Sequence, residues 1–536
     1  MLPLTDRVYD VAIIGGGILG LSVARDCAMR RLSVVLFEKE DFASGTTGAG
    51  AGILSGEPHW LSTDPETTRT ACEEINVFQR IAPNLLTRVP ILFPVLKTSP
   101  KYELDRLQAL ADLYDHYAFA KAGRPHVRLN AKEMQAVDPG LSVDCWGAIS
   151  VDEWTTDPAR ITIATARSAA AAGAALHKGV LAEKIEMQGS RLVGVRVKPA
   201  GGSSMLVRAR TVVNAAGPWG PALTPARSVE FRSYQRSYLF LERRVSEVAL
   251  ACPLPHRTDP LYFFPRENIS IIGPSESPFN GDPENPQVSE DEVNGMLDTV
   301  KKYFPRIESH RFTAAVSGIH CRIFDIEHQE GQRQAAFDHA SDGAEGVYTL
   351  IGGGLTRARR LAEQVTNAIC KRLRQRERCR THLESLPGCT SEIPWLEESR
   401  RTGRDPLLVA RLIRRYGHKA EGILDAATRH AELGQTLCEC EQVLAAEVEY
   451  AVRKEWVTSL ADLRRRTRLG NGSCQGCRCL RNAACFLGSQ LKWNSDEVEA
   501  QIAANTPQFP LILTWQEQLK QRDYARGLQC FGGTDG

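Results

Sequence analysis

Three glycines and one carboxylate near the N-terminus have a spacing that suits dinucleotide binding. Gly15, Gly17 and Gly20 follow the pattern G-x-G-x-x-G, and Glu38 comes eighteen residues after the last of them. In this pattern the glycines permit a tight turn, a close approach of backbone to pyrophosphate, and close helix–strand packing. A carboxylate at the end of the next strand accepts hydrogen bonds from a ribose 2′-hydroxyl and disfavours a 2′-phosphate.

The flanking sequence predicts the strands and the helix that would position these residues. Residues 9–40 give an apolar strand, the glycine turn, an amphipathic helix and a second apolar strand that ends at Glu38. The helix N-terminus faces the phosphates, where its unpaired N–H groups favour an anion. An ordinary glycine-rich turn is the alternative. The full order of strand, glycines, helix, strand and acid favours the dinucleotide site.

Two later stretches favour FAD over NAD as the dinucleotide. Residues 210–217, R-T-V-V-N-A-A-G, form a short apolar strand that ends in small residues. Residues 346–363, G-V-Y-T-L-I-G-G-G-L-T-R-A-R-R-L-A-E, repeat the order strand, glycines, helix and offer backbone N–H groups to the flavin end of the cofactor. The small residues of segment 41–60 allow close approach to a flat ligand.

Cysteines are unevenly distributed along the chain. Ten of the fifteen are scattered singly, whereas five crowd into residues 438–479 as C-E-C and, further on, C-Q-G-C-R-C. Four thiolates gathered this way suit either a 2Fe–2S cluster or zinc. Cys438, Cys440 and Cys474 belong to either ligand set, and the fourth ligand is Cys477 or Cys479. The basic run 464–468 offsets the charge of a cluster, docks an acidic partner, or forms a solvated helix face.

Composition limits the remaining function classes. The chain has 66 basic and 64 acidic residues, a net charge of +2, and 43% hydrophobic residues. This near neutrality gives no overall attraction to nucleic acid, and ordinary apolar content excludes disorder over most of the chain. We find neither a signal peptide nor an apolar run long enough to span a bilayer, so we expect a cytoplasmic protein, either free or peripheral at the cytoplasmic face of the membrane.

The predicted fold class is α/β. We expect an FAD-binding Rossmann-like oxidoreductase domain over 1–385, with an antiparallel β-rich substrate cap mainly from 63–140 and 227–324. Segment 63–140 reads as mostly helical, and strands are expected at 238–242, 261–265 and 269–272. A helical linker over 386–430, a small helical iron–sulfur domain over 431–490 and a tail over 491–536 complete the chain.

The motifs Y-D-V-A-I-I-G-G-G-I-L-G, S-G-T-T-G, V-V-N-A-A-G-P-W, I-G-G-G-L-T-R-A-R-R-L-A-E and C-E-C-E resemble the FAD-dependent glycerol-3-phosphate dehydrogenases, most closely the large A subunit of the anaerobic enzyme. The tail with Trp515 and Cys530 is similar to that subunit too. The cysteine region resembles the bacterioferritin-associated ferredoxin domain. The resemblance implies FAD-dependent oxidation of a small secondary alcohol, with electrons passed through 2Fe–2S and partner electron-transfer subunits at the inner membrane toward quinone.

The resemblance and the motifs together give the expected cofactor residues. The spacing of the large anaerobic subunit selects Cys479 as fourth cluster ligand, and that of the short ferredoxin selects Cys477; we favour Cys479. The residues expected to bind FAD are Gly15, Gly16, Gly17, Gly20, Glu38, Lys39, Ser44, Thr46, Thr47, Ala216, Gly217, Gly353, Gly354, Leu355 and Thr356.

The substrate residues of the family are not retained. His59 stands where the family has an arginine, His320 replaces a second arginine, and Gly354 replaces a lysine. Arginine to histidine loses the permanent charge and the bidentate fork that suit phosphate. His59 and His320 are the candidate bases, and Arg359 matches a family arginine, with Arg322 and Arg357 as further cations. The expected substrate is a polyol phosphate or hydroxy acid; an amine or amino acid, or a non-catalytic electron-relay role, are the alternatives.

Overall fold

The structure is a computed structural model that describes residues 7–224, 229–254, 259–267, 269–309, 312–325, 333–334 and 336–506. The predicted tail similarity around Trp515 and Cys530 lies outside the described residues. Within them the strands are β1 Val8–Ile14, β2 Val34–Glu38, β3 Ile53–Leu54, β4 Leu86–Leu96, β5 Val127–Asn130, β6 Cys145–Thr156, β7 Ala175–Lys178, β8 Val180–Gln188, β9 Arg191–Pro199, β10 Met205–Asn214, β11 Val229–Leu241, β12 Ala249–Cys252, β13 Leu261–Arg266, β14 Ile269–Pro278, β15 Phe312–Asp325, β16 Arg333–Gln334, β17 Ala336–Asp338, β18 Val347–Leu350, β19 Thr436–Cys438 and β20 Val443–Leu444.

The α-helices of the same residues follow in chain order. They are α1 Ile18–Met29, α2 Thr46–Ala49, α3 Pro65–Ile81, α4 Tyr102–Ala118, α5 Ala131–Val137, α6 Pro158–Ala171, α7 Glu290–Lys301, α8 Ala358–Leu373, α9 Trp395–Thr402, α10 Pro406–Tyr416, α11 Lys419–Arg429, α12 Ala445–Lys454, α13 Leu460–Thr467, α14 Leu480–Leu491 and α15 Ser495–Asn505.

An eight-stranded mixed sheet forms the first layer of the molecule. Its central strands are parallel, whereas β17, β8 and β9 pair antiparallel with their neighbours. Its order is β17-β18-β10-β1-β2-β7, and β1 pairs in parallel with both β2 and β10. Alternate residues of β1 serve opposite faces: Val11 and Ile13 pack with helices α1, α6 and α8, while Ala12 and Ile14 pack with β8 and β9. Burial on both faces explains why the sequence of β1 is an almost continuous run of apolar residues. The predicted α/β fold is confirmed.

A second, ten-stranded sheet covers the site. Its order is β16-β15-β11-β14-β13-β12-β4-β6-β3, with β5 paired to β6, and nearly all its pairings are antiparallel. The strands predicted at 238–242, 261–265 and 269–272 overlap β11, β13 and β14. Helices α3, α4 and α5 make up most of segment 63–140, as predicted, and the strands β4 and β5, which were not predicted, lie between them. Strand β4 carries Pro90 and Pro94, residues that argue against a strand when only the sequence is read.

The C-terminal part is helical and packs on the first layer. Helices α9 to α11 lie in the predicted linker, and α12 to α14 surround the cysteine segment with a core of its own. No helix in the described ranges is long and apolar enough to cross a membrane.

Candidate functional site

Two glycines fix the turn between β1 and α1. Gly15 has a φ of +106°, and a Cβ there would lie 2.4 Å from the carbonyl oxygen of Ala215 on the neighbouring strand connection. A Cβ on Gly20 would lie 2.0 Å from the Gly15 carbonyl oxygen. Both distances are far below contact, so this turn and this helix packing require glycine.

The N-terminus of α1 opens into a cavity. Gly17 precedes the helix, the first turn carries no acidic residue, and the Ile18 N–H lies 3.2 Å from the Thr47 hydroxyl oxygen. A Cβ on Gly17 would come within 3.1 Å of that hydroxyl. The helix end therefore presents backbone N–H groups and a positive dipole end to the cavity, with the hydroxyl of Thr47 beside them.

Glu38 is held at the end of β2 by backbone donors. The Gly16 N–H donates to one carboxylate oxygen at 2.6 Å, and the Glu40 N–H donates to the other at 2.9 Å. Burial raises the pKa of Glu38, although both N–H donors act in the opposite direction. Each oxygen retains a second lone pair, so the fixed carboxylate can still accept a ribose hydroxyl.

One cavity of about 1000 Å³ joins these groups to the second sheet. That volume is at the upper end for small-molecule sites. Gly16 and Gly20 lie behind its wall and act through the backbone. The predicted residues that line it are Gly15, Gly17, Glu38, Lys39, Ser44, Thr46, Thr47, His59, Ala216, Gly217, His320, Gly353, Gly354, Leu355 and Thr356.

Arg359, predicted as a catalytic residue, does not line this cavity. Its guanidinium is buried against Glu74 at 2.7 Å and against Glu363 at 2.9 Å. It therefore ties α8 to α3, and we correct the predicted catalytic role to a structural one. Arg357, two residues earlier, is the arginine of this segment that reaches the cavity.

The segment 55–60 carries His59 and is supported by a buried polar cluster. The Gly56 N–H donates to Glu153 at 3.0 Å, and Glu153 also accepts from the Tyr114 hydroxyl at 2.6 Å. The Lys121 ammonium lies 2.9 Å from the same carboxylate, and both side chains are almost fully buried. Buried charges of this kind are stable only when paired, so the cluster fixes the loop in place.

Arginine and histidine side chains in the substrate region are already paired with acids. His59 Nε2 lies 2.9 Å from Asp259, and Arg236 lies 3.2 Å from Asp259 and 2.6 Å from Glu276. Arg322 approaches Glu276 at 2.7 Å. These acids were not predicted, because they belong to no local motif: Asp259 reaches the cavity from the segment before β13, and Glu276 lies on β14.

His320 lies on β15 opposite Tyr234 of β11 and reaches the same cavity as His59. Glu57, in the loop beside His59, also lines it and was missed. The signal was available, because an acidic residue stands two positions before a candidate base. We call the part of the cavity lined by Gly15, Gly17, Glu38 and Thr47 the dinucleotide end, and the part lined by Glu57, His59, His320, Arg357 and Asp259 the substrate end.

Four of the crowded cysteines interact with one another. Hydrogen bonds join the thiol of Cys438 to that of Cys479, and join Cys474 to both Cys479 and Cys440. The bond to Cys479 lowers the pKa of Cys438 to about 7. Cys477 takes no part in this chain of thiol contacts in the described structure, and burial raises its pKa.

No group of three or more His, Cys, Asp or Glu side chains within the described ranges has the arrangement of a metal site. A single tetrahedral ion such as zinc would need its ligands converged on one point. A 2Fe–2S cluster takes four thiolates that are shared between two irons. The absence of three ligands around one point among the described residues therefore does not test for such a cluster.

The basic run 464–468 is neither a solvated face nor free to dock an outside acid. Arg466 is fully buried and binds both carboxylate oxygens of Asp41, at 2.5 and 2.7 Å, just beyond Glu38. The Arg468 guanidinium forms ion pairs with Glu441, at 3.0 Å, and with Asp157, at 3.3 Å. Asp157 is the N-cap of α6. The run thus docks the cysteine segment onto the loop after β2 and onto the start of α6.

Comparison with known proteins agrees with this geometry. A model of the FAD dependent oxidoreductase family matches residues 10–368, and a model of the C-terminal domain of alpha-glycerophosphate oxidase matches residues 379–498. The chain therefore belongs to the FAD-dependent oxidoreductase family, and FAD is its cofactor class.

Particular relatives are glycerol-3-phosphate enzymes. The chain is 32% identical over 489 residues to the A subunit of the anaerobic glycerol-3-phosphate dehydrogenase of Escherichia coli K12, covering 89% of this chain and 88% of that one. It is 29% identical to the A subunit of the corresponding Haemophilus influenzae enzyme, covering 90% and 85%. The FAD-complexed structure of the Bacillus halodurans glycerol-3-phosphate dehydrogenase shares the fold with a TM-score of 0.74 at 23% identity, covering 97% and 96%.

Proposed function

We propose that this protein is an FAD-dependent dehydrogenase that oxidises a small alcohol, with an amine as the alternative substrate, and passes the electrons to its C-terminal cysteine segment. The observation that carries the proposal is a single cavity with dinucleotide-type groups at one end and titratable side chains at the other. The proposed FAD residues fit the cofactor: the α1 N-terminus takes the pyrophosphate, Glu38 takes the ribose, and residues 352–356 bring backbone toward the remaining end of the cavity.

His59 is suited to hold the substrate proton. When bound, FAD supplies the hydride acceptor, so the protein must accept the proton of the hydroxyl or amino group. Asp259 lies against Nε2 at 2.9 Å and favours the tautomer with hydrogen on that nitrogen. Nδ1 is then an acceptor, and it is buried without a hydrogen-bond partner in the described structure. His320 is the second candidate for the same role.

We propose that glycerol 3-phosphate is a poor substrate. His59, His320 and Gly354 stand where the resembling family has cations, and Arg236 and Arg322 are paired with acids. A charge-assisted hydrogen bond contributes about 1.5–3 kcal/mol, so two lost contacts weaken binding by two orders of magnitude or more.

The experiment is an anaerobic substrate screen on the purified holoprotein, following loss of flavin absorbance. The panel contains glycerol 3-phosphate, other polyol phosphates, hydroxy acids and amino acids. Rapid bleaching by one class supports a dehydrogenase, and bleaching at micromolar glycerol 3-phosphate contradicts the substrate proposal. If dithionite reduces the flavin but no compound does, the non-catalytic electron-relay function replaces it.

Cys438, Cys440, Cys474 and Cys479 are the proposed ligands of a 2Fe–2S cluster. The mutual thiol contacts of these four support Cys479 over Cys477 as the fourth ligand. A cluster there would take electrons one at a time and deliver them to partner subunits and, through them, to membrane quinone. Such delivery requires a peripheral position at the cytoplasmic face of the membrane.

Anaerobically prepared protein should contain two iron and two acid-labile sulfide per chain, as a 2Fe–2S cluster requires, and show a paramagnetic signal on reduction. Cys479→Ser should abolish that signal and retain FAD, with Cys477→Ser as the matched control. Loss of the signal in the Cys477 variant alone would select the shorter spacing. One zinc and no sulfide would refute the electron-transfer role.

A further inference from the structure

Glu57 combines a left-handed backbone with a buried carboxylate oxygen that has no hydrogen-bond partner in the described structure. Its backbone is left-handed, with φ 54° and ψ 52°, a conformation that costs a non-glycine residue free energy. The strained position is held in place, since the Thr68 hydroxyl donates to the Glu57 carbonyl at 3.0 Å and the Glu57 N–H donates to Ser55 at 3.0 Å. The structure thus maintains a carboxylate at this point of the cavity wall.

The carboxylate of Glu57 is also unsatisfied. Its Oε2 is buried and has no hydrogen-bond partner among the described residues. A Cβ at Gly354 would lie 3.8 Å from Oε1, which locates the carboxylate beside the 352–356 segment. A buried carboxylate oxygen without a donor is costly in the absence of a ligand, and it marks a place where a ligand donates.

Arg357 is the complementary group. Its Nε lies 3.6 Å from Glu57 Oε2, too long for a hydrogen bond, and that N–H is likewise buried without an acceptor in the described structure. The two opposite charges face one cavity and leave one donor and one acceptor unused. A ligand that carries both a donor cation and an acceptor anion would satisfy the two at once.

The surrounding charges exclude a dianion. Arg236, Arg322 and Arg357 are matched in number by Glu57, Asp259 and Glu276, so the region has no excess of fixed positive charge. A dianionic phosphate beside the Glu57 carboxylate would be repelled, because like charges at contact distance interact strongly in a partly buried site. A ligand with no net charge meets no such penalty.

We propose that Glu57 and Arg357 form the recognition pair for a small zwitterion, a 2-amino carboxylic acid, whose amino group donates to Glu57 and whose carboxylate accepts from Arg357. This assignment rests on the proposed flavin-dependent dehydrogenation. The ammonium loses one proton to His59 Nδ1, and the carbon that bears nitrogen then loses hydride to FAD. The nitrogen lone pair then forms the C=N bond of an iminium product. In total the substrate loses one proton from nitrogen and one hydride, which carries two electrons, from carbon.

The test compares pairs of ligands on the FAD-loaded protein. Amino acids and the 2-hydroxy acids of identical side chain are titrated anaerobically, with binding measured by calorimetry and reduction measured by flavin absorbance. We expect an amino acid to bind at least tenfold more tightly than its hydroxy acid. Glu57→Gln should weaken amino acid binding at least tenfold and leave the hydroxy acid unchanged, while Arg357→Met should weaken both.

Glu66→Gln, an exposed change on α3, is the matched control and should alter neither constant. Unchanged amino acid affinity in the Glu57→Gln variant, or preferential reduction by hydroxy acids or glycerol 3-phosphate, would overturn the recognition pair while the dehydrogenase stands. If no ligand binds or bleaches the flavin although dithionite does, the pair and the dehydrogenase both fail.

Discussion

The two ends of the cavity are built by different means. At the dinucleotide end, backbone geometry does the positioning: Gly15 and Gly20 let strand and helix touch, and backbone N–H groups fix Glu38. At the substrate end, charged side chains from distant segments face one another, and Glu57 and Arg357 leave polar atoms unused. Protein contacts alone hold the residues of the first end in place, whereas the second end leaves a donor and an acceptor for a ligand to satisfy.

The largest expected effect breaks the dinucleotide end. Gly20→Ala places a methyl group 2.0 Å from the Gly15 carbonyl oxygen, so α1 must move away from β1. Overpacking of a close contact costs about 1–3 kcal/mol or more, and here the moved element is the pyrophosphate site. We expect purified protein with less than a tenth of the wild-type FAD, measured as flavin released per chain.

Gly295→Ala is the matched control for that change. Gly295 lies within α7, and a Cβ there meets nothing within 4 Å. Glycine in a helix is less favourable than alanine by about 0.5–1 kcal/mol, so this variant should keep its flavin and gain slight stability. Full flavin in the Gly20 variant would show that the glycine contact does not govern the cofactor site.

The dinucleotide end was predictable for a physical reason. Turn, helix start and strand end lie within residues 9–40, so local sequence determines most of their geometry. The strands β11, β13 and β14 were predicted as well, because their apolar runs are short and bounded. Strand β4 was missed because its prolines signal a break, although its neighbours in the sheet accommodate them.

The substrate end was predicted only in part because its partners are distant in sequence. His59 meets Asp259 across two hundred residues, and Arg359 turned away from the cavity to pair with Glu74 on α3. No local pattern reports which of Arg357 and Arg359 faces the cavity. The docking of Arg466 on Asp41 is equally non-local, and the sequence showed only an unassigned basic run.

A change with a smaller effect on cofactor content weakens the support of the substrate end. Lys121→Met removes the buried ammonium that pairs with Glu153 and accompanies Tyr114 beneath segment 55–60. Removing one partner of a buried ion pair typically costs about 3–5 kcal/mol. We expect a lower midpoint in thermal unfolding and weaker substrate-analogue binding, with FAD still present at low temperature.

Lys132→Met, at an exposed position of α5, controls for loss of a lysine and should leave the midpoint within error. Equal behaviour of the two variants would mean that the buried cluster does not hold the loop. Loss of FAD from the Lys121 variant at low temperature would mean that the two ends are not independent.

The smallest expected effect concerns the Glu57 carboxylate, whose Oε2 has no hydrogen-bond donor in the described structure. Burial raises the pKa of Glu57 above its ordinary value of 4.5, so the folded protein binds more protons than the unfolded chain between that value and the raised one. Stability then falls as pH rises through this window, because the folded state must carry a buried charge.

Glu57→Gln removes that charge. In ligand-free protein we expect the variant to be more stable by on the order of 1 kcal/mol at pH 8 and equal to wild type near pH 4.5. Scanning calorimetry at both pH values checks the difference, and Gln in place of the exposed Glu66 should not stabilise the protein at pH 8, because Arg69 lowers the pKa of that carboxyl. A variant that is less stable than wild type at pH 8 would mean that the Glu57 carboxylate has its partners within the protein. The substrate end would then not differ from the dinucleotide end in leaving polar atoms for a ligand.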